Sequence, residues 1–312
     1  METVLDPLAD LRLNFNQSMV WVMNVCIAII MFSVALSMQR ADFVELKKSP
    51  KQVLIGVLSQ LFLLPFVTFL LIMALKPNPG IALGMMLVAC VPGGNVSNYF
   101  TLVGRGNPAL SVSMTAIATL SAPFFTPLNF AFWGSKISFA QDLLRKINLD
   151  FWETFKVVVL ILVIPMALGL YFKQKFPVLT ERIKGRMQGL ALLILIAFIV
   201  FAFSGNYNIF IDYYSHIIYA VFLHTLLAFG AGYAWGYMFT KNYVVSRTIS
   251  IETGIQNSGL GLVLIFTLFD GQGGMALVTA WWGAYDILIG LCAAYFFRWL
   301  SNKTDKVALV EV

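Results

Sequence analysis

The sequence predicts an all-α polytopic membrane protein: nine transmembrane helices in an inverted-topology repeat of four plus five, two of them broken in mid-membrane. Three observations predict it. Of 312 residues, 59% are hydrophobic and 12% charged, against roughly 45–50% apolar and about 25% charged in an ordinary soluble domain. Apolar runs of spanning length recur from Val20 almost to the end of the chain. Two of those runs are interrupted by helix-breaking polar stretches with related patterns, "PGGNVSNYFTLVGRG" from Pro92 and "TGIQNSGLGLVLIF" from Thr253.

Taken in order, the acidic stretch "METVLDPLADLRLNF" lacks the basic flank and short apolar core of a cleavable signal peptide and is expected to stay in the mature protein. Spans then fall near residues 17–38, 50–75, 81–104, 107–134, 151–172, 187–205, 215–240, 247–268 and 274–299. Between the fourth and fifth, "SKISFAQDLLRKINLDFWE" is amphipathic enough to lie along the interface, and reads equally as a plain loop. Residues 300–312 form a tail.

The basic residues alternate from loop to loop. One side collects Arg40, Lys47, Lys48, Lys51, Arg105, Lys173, Lys175, Arg182, Lys184, Arg186, Lys241, Arg247, Arg298, Lys303 and Lys306; the other has only Arg12, Lys76, Lys136, Arg145, Lys146 and Lys156. The positive-inside rule then places the N-terminus outside and the C-terminus in the cytoplasm, in a plasma membrane such as a bacterial inner membrane. Net charge +6 is accounted for by topology, so no nucleic-acid partner is expected. Cys26, Cys90 and Cys292 lie in apolar runs without metal-binding or redox spacing, and read as small core residues.

Shifting the chain by about 159 residues, the spacing from Asn98 to Asn257, lays the first four spans (17–134) over the last four of the 151–299 half. Equivalent helices are five spans apart and so run in opposite directions, as in many secondary transporters. The fifth span has no counterpart in the first half.

Backbone cannot be left unpaired in hydrocarbon, so non-helical chain at membrane depth must be buried in protein or line an aqueous cavity. Pro92 removes a donor and disfavours helix at Val91, while Gly93 and Gly94 permit an unwound turn. The half-helix that follows, near Asn95 to Asn98, is expected to aim free N–H groups and a partial positive charge at the cavity, which suits an anion. In the eighth span, Glu252 reads either as an interfacial carboxylate five residues after Arg247 or as the charged member of an oxygen-rich cluster with Thr253, Gln256, Asn257 and Ser258. Carboxylate, amide, hydroxyl and main-chain oxygens suit Na⁺ as they suit other hard cations. Gln60, Ser111, Thr115 and Asp286 are further intramembrane polar residues; Ser111 and Thr115 share a helix face, and an uncompensated Gln60 or Asp286 would be costly. His224 reads as a satisfied bundle residue. Trp281 and Trp282 fit either core packing or a substrate wall. No nucleophile with a base and no paired zinc ligands are seen, so an enzyme is not expected; a channel would need a continuous polar path rather than two breaks.

In "PGGNVSN", "RGNPALSVSMT" and "IETGIQNSGL" the chain resembles the bile acid:sodium symporter family, with a match over essentially its whole length. The resemblance implies a core domain, a panel domain and two broken helices crossing beside two sodium sites. Carried over by motif, the first site is Ser97, Asn98, Ser111, Thr115 and Glu252. The second is Gln60, Glu252 and Gln256 with the main-chain carbonyls of Thr253 and Ile255. Substrate would meet Asn95, Val96 and Ser97, with Asn257 and Asp286 close by. The implied activity is sodium-coupled import of an organic anion, bile-acid-like or a small hydroxy or keto acid, by a monomer embedded in lipid, with proton coupling through Glu252 and Asp286 as the alternative. Asp286 departs from the pattern, since relatives place His, Asn or Gln at or next to this position. A cavity-facing carboxylate there would repel an anion unless it is protonated, paired, or met by a substrate hydroxyl or amine.

Overall fold

A computed structural model describes residues 17–38, 48–147, 151–204 and 207–308. The acidic N-terminal stretch through residue 16, Arg40 and Lys47 of the first basic loop, residues 148–150 and the last four residues of the tail lie outside them.

The described residues are helical with short connections. Five helices are long and apolar enough to cross a membrane: α2 (Pro50–Leu75), α5 (Pro108–Gly134), α7 (Trp152–Lys175), and the apolar parts Ile217–Thr240 of α9 (Tyr207–Thr240) and Gly273–Asn302 of α12 (Gly273–Ala308). Around them stand α1 (Gln17–Ser37), the half-helices α3 (Pro79–Cys90) and α4 (Val96–Val103), the short α6 (Gln141–Ile147), α8 (Pro177–Ser204), and a second pair of half-helices, α10 (Tyr243–Gly254) and α11 (Ser258–Leu268). The multi-pass membrane character read from composition is therefore carried by the helices themselves.

Several helices outrun their apolar runs. α8 starts at Pro177 rather than near 187, and α9 at Tyr207 rather than near 215. The added first turns of α8 are polar, with Pro177 at the first helical position and Lys184 bonded to Glu181 at 2.5 Å across one turn. Lys184 also holds the Glu181 carboxyl below the usual carboxylate range. Hydropathy marks where lipid solvates a helix; the backbone ladder continues into water wherever such pairs support it.

Burial follows the solvent. Every residue of α3 from Gly80 to Cys90 is buried, and most of α11 likewise. In contrast, α2, α5 and α7 present Leu54, Phe62, Phe66, Leu120, Phe124, Leu160 and Leu168 outward, as a bilayer permits. α1 packs chiefly on α7 and α8, whereas α3 packs on α12 and α10 on α9. The segment after α5 is neither a plain loop nor a free interfacial helix: a 3₁₀ turn (Ser138–Ala140) leads into α6, and Ile137, Ala140 and Leu143 are buried in the main core. The cysteines differ from one another. Cys90 is buried, Cys26 half-buried, and Cys292 exposed, which corrects its reading as a core residue. On a helix whose outer face meets lipid, an apolar run does not separate the two faces.

α2 and α7 each contain a π turn, Ser59–Leu63 and Val159–Val163, followed by Pro65 and Pro165. Proline brings no N–H to the ladder. In α2 the Leu61 carbonyl instead accepts from Asn129 Nδ2 of α5 at 2.8 Å.

Candidate functional site

The two half-helix pairs meet where the sequence breaks them. α3 ends at Cys90 with Val91 extended (φ −79°, ψ 158°), and α10 ends at Gly254 with Ile255 extended (φ −112°, ψ 113°). Gly93 pairs with Gln256 in an antiparallel bridge. The Gly94 amide donates to the Ile255 carbonyl at 3.0 Å, and the Asn257 amide to the Pro92 carbonyl at 2.9 Å. Each unwound segment thus satisfies the other, which is how non-helical backbone survives deep inside the protein. Glycine is required by closeness: a Cβ on Gly93 would lie 2.8 Å from Gln60 Nε2, and one on Gly94 2.9 Å from the Gln256 carbonyl oxygen.

Glu252, two residues before the end of α10, is fully buried, which removes its reading as an interfacial carboxylate. Its Oε1 accepts from Ser97 Oγ of α4 at 2.5 Å and from Ser111 Oγ of α5. Its Oε2 accepts from Thr115 Oγ1 at 2.8 Å and from Gln60 Nε2 of α2 at 3.2 Å. Asn98 joins through Oδ1, which accepts from Ser111 at 2.8 Å and from Thr115 at 3.5 Å. Three elements thus converge on one carboxylate of a fourth. Among the described residues no group of three or more His, Cys, Asp or Glu side chains forms elsewhere or here, so any cation at Glu252 would be held by one carboxylate and neutral oxygens.

Two neighbouring oxygens are left over. Gln60 donates through Nε2 to the Glu252 carbonyl as well, at 2.9 Å, and Gln256 donates through Nε2 to the Thr253 carbonyl at 2.9 Å. The amide oxygens of both residues are buried without a hydrogen-bond partner. The carbonyls of Thr253 and Ile255 each already accept one hydrogen bond and keep a second lone pair. Buried acceptors of this kind are costly unless something electropositive meets them.

The other singled-out residues divide. Asn257 caps α11, its Oδ1 accepting from the Leu260 amide at 3.0 Å. Asn95 caps nothing with its side chain, so the N-terminus of α4 is the open one. The Ser97 and Asn98 amides turn back onto the Gly94 and Asn95 carbonyls at 3.0 and 3.3 Å. Asp286 lies on α12 beside the crossing: its Oδ2 accepts from the Gln256 amide at 3.2 Å, and its Oδ1 has no partner. Trp282 is fully buried and packs edge-on against His224 with ring centroids 4.2 Å apart, while His224 Nε2 meets Thr68 Oγ1. Trp282 belongs to the main core, whereas His224, read as satisfied, keeps a buried Nδ1 with no hydrogen-bond partner.

Sequence reasoning missed Ser59. Buried on α2, it meets Thr253 Oγ1 at 2.7 Å and donates to the Gly56 carbonyl. The π turn alters the angle between successive side chains, so Ser59 and its neighbour Gln60 both reach the end of α10. The mark available in the sequence is Pro65. A surface cleft of about 500 Å³ lined by Met73, Lys76, Asn78 and Phe139 touches none of these residues; it lies where α2 turns into α3 and has no comparable convergence of polar groups.

The family model for the sodium bile acid symporter family matches residues 24–213. The chain is 32% identical over 294 residues to the uncharacterized sodium-dependent transporter YocS of Bacillus subtilis, covering 88% of each. It is 27% identical over 295 residues to the human sodium-dependent organic anion transporter, covering 91% of this chain and 76% of that one. Against the probable sodium/metabolite cotransporter BASS1 of Arabidopsis thaliana it is 32% identical over 244 residues, covering 77% of this chain and 58% of that protein. The helices, the two breaks and these likenesses agree: the chain belongs to the sodium bile acid symporter family.

Proposed function

We propose that the protein is a sodium-coupled secondary active symporter that imports an organic anion by alternating access. The observation that carries this reading is the convergence on Glu252: hydroxyl and amide groups from α2, α4 and α5 surround one buried carboxylate, with the unpartnered oxygens of Gln60 and Gln256 beside it. Such a set suits a monovalent hard cation better than a divalent one, because a single carboxylate supplies the only formal charge.

In this reading one Na⁺ is held by Ser97, Asn98, Ser111, Thr115 and Glu252. A second is held by Gln60, Glu252, Gln256 and the carbonyls of Thr253 and Ile255. Sodium draws the hydroxyl oxygens inward as acceptors and turns their protons outward. It thereby fixes α2, α4, α5 and α10 against one another and sets the α4 N-terminus for the substrate carboxylate, with Asn257 beside it. α1, α7 and α8 act as the panel, and the remaining helices rock against them as the core. The pairing of Pro92 with Asn257 and Gly94 with Ile255 supports an inverted repeat of 17–134 and 151–299 about the crossing. The excess of basic residues supports a cytoplasmic C-terminus, and a single chain suffices as the working unit.

The test is thermal stability of the purified protein in Na⁺, K⁺ and choline, each with and without a panel of small organic anions. A Na⁺-specific rise, enlarged by one anion, is the expected result. Equal melting in all three cations, even at high concentration, would overturn sodium coupling and turn attention to protons at Glu252 and Asp286.

A further inference from the structure

Two consecutive residues of α2 grip two consecutive residues of α10. Gln60 Nε2 donates to the carbonyl and the carboxylate of Glu252, and Ser59 Oγ meets Thr253 Oγ1 at 2.7 Å, with both hydroxyl residues fully buried. The direction of the hydroxyl pair follows from its protons. Ser59 has one hydroxyl proton to give, and it goes to the Gly56 carbonyl at 2.7 Å. Thr253 therefore donates to Ser59, and the bonds run one way, from Thr253 through Ser59 to Gly56. Ser59 is the first residue of the π turn, and its amide also reaches back to the Gly56 carbonyl. One serine thus closes the α-helical part of α2 and ties it to the end of α10. The α9 backbone covers another side of Thr253: a Cβ on Gly232 would lie 2.9 Å from Thr253 Cβ and 3.1 Å from its Oγ1. Thr253 is held between α9 and Ser59, while its carbonyl accepts from Gln256 Nε2 at 2.9 Å.

Discrimination between hard cations of different size depends on the spacing of the oxygens around the ion and on how freely they move. Oxygens that move freely close on a smaller ion; oxygens held apart do not. We propose that Ser59 and Thr253 are positioning residues for the second sodium: their hydroxyl pair holds the Thr253 carbonyl and Gln60 at a fixed separation and so sets the preference of that site for Na⁺ over Li⁺. This rests on the sodium-coupled reading above and deepens it. Neither hydroxyl is a ligand in that reading, and the pair is neutral, so it adds no charge that would strengthen the attraction for every cation alike. Its loss changes which ion is preferred, beyond how tightly ions are held.

The experiment titrates Na⁺ and Li⁺ separately against the thermal stability of the purified protein, with choline holding the ionic strength. The variants are Thr253→Val, Thr253→Ser, Ser59→Ala, and Thr253→Val combined with Gln60→Ala. Thr253→Val keeps the branched outline and leaves Ser59 its bond to Gly56, so its melting in choline is expected to stay close to that of the wild type. Its half-maximal Na⁺ concentration is expected to rise about two- to tenfold, the range for loss of one neutral hydrogen bond. The Li⁺ value changes less, so the preference for Na⁺ narrows. Thr253→Ser keeps the donor and is expected to restore the wild-type preference. In the Gln60→Ala background, which lacks a ligand of the second ion, Thr253→Val is expected to change the preference no further. If Thr253→Val melts well below the wild type in choline, Ser59→Ala, measured the same way, decides. An unchanged preference, equal weakening of both ions, a Thr253→Ser variant that behaves like Thr253→Val, or a full effect without Gln60 would overturn the inference and leave sodium coupling standing. Absence of a Na⁺-specific shift in the wild type would overturn both.

Discussion

Gln60 holds Glu252 at two points, its Nε2 donating to the Glu252 carbonyl at 2.9 Å and to the carboxylate Oε2 at 3.2 Å. One amide thus fixes both the end of α10 and the side chain at its centre, and does so from a π turn of another helix. The amide oxygen is left pointing at no donor. If that oxygen serves the second sodium, Gln60→Ala removes one ligand while the Ser97, Ser111 and Thr115 contacts remain. The expected outcome is a rise of about tenfold or more in the Na⁺ concentration for half-maximal stabilisation, for the loss of about 1.5–3 kcal/mol in a contact to a charged group. The Na⁺ dependence of uptake should also lose steepness. Gln256→Ala should behave alike; an unchanged Na⁺ titration in both would remove these residues from the site.

Glu252→Gln is the sharper test of the first site. The substitution keeps the size but replaces an acceptor for four donors with a group that has one acceptor oxygen and an N–H₂ facing hydroxyls. Na⁺-specific stabilisation and Na⁺-driven uptake should both disappear, as they should in Glu252→Ala. Retention of sodium dependence in either variant would sink the assignment.

Gly93→Ala tests the crossing without removing any ligand. The added Cβ falls 2.8 Å from Gln60 Nε2 and 3.4 Å from the Glu252 carbonyl, so either the bridge to Gln256 opens or the Gln60 amide is pushed away. Overpacking of this kind costs about 1–3 kcal/mol. A lower melting temperature in K⁺ and a disproportionately smaller Na⁺ increment are expected. A variant that melts like the wild type and keeps the full increment would show that the crossing has room the distances deny.

Much of this was readable from the chain because the bilayer leaves few options. Pro92, Gly93 and Gly94 in an apolar run allow little but a break, while Glu252 among Thr253, Gln256 and Asn257 read equally as an interfacial carboxylate until its burial was seen. The long-range partners were not readable. Ser59 and Thr253 are 194 residues apart, and the register slip that brings Ser59 and Gln60 to one place leaves only a proline as its trace. The early start of α8 was hidden for the opposite reason: hydropathy reports the solvent around a helix, and a helix in water has no such signature. Asn257, read as a neighbour of the substrate, also caps α11 through its Oδ1, a role that needs only an Asn before a helix.

The Asn129 contact gives a prediction that stands independently of transport. Asn129 Nδ2 satisfies the Leu61 carbonyl inside the π turn that carries Gln60. Asn129→Leu keeps the branched outline and the number of side-chain heavy atoms and removes the donor, leaving a buried carbonyl unpaired at a cost of about 1–3 kcal/mol. The melting temperature should fall in every cation. Because the π turn is what aims Gln60 at Glu252, the half-maximal Na⁺ concentration should rise as well, although Asn129 touches neither. A loss of stability with unchanged Na⁺ affinity would mean that the turn holds its shape without the bond and that Gln60 is placed by Glu252 alone.

The last prediction concerns charge. If two Na⁺ enter with one monoanion, each cycle carries one net positive charge inward, and the membrane potential contributes about 2.3 kcal/mol per 100 mV. Proteoliposomes given a K⁺ gradient and valinomycin to make the interior negative should accumulate substrate faster and further than those clamped at zero, at equal Na⁺ gradient. A single Na⁺ with a monoanion would be electroneutral, so uptake indifferent to the imposed potential would remove the second sodium from the cycle even if Gln60 and Gln256 proved essential.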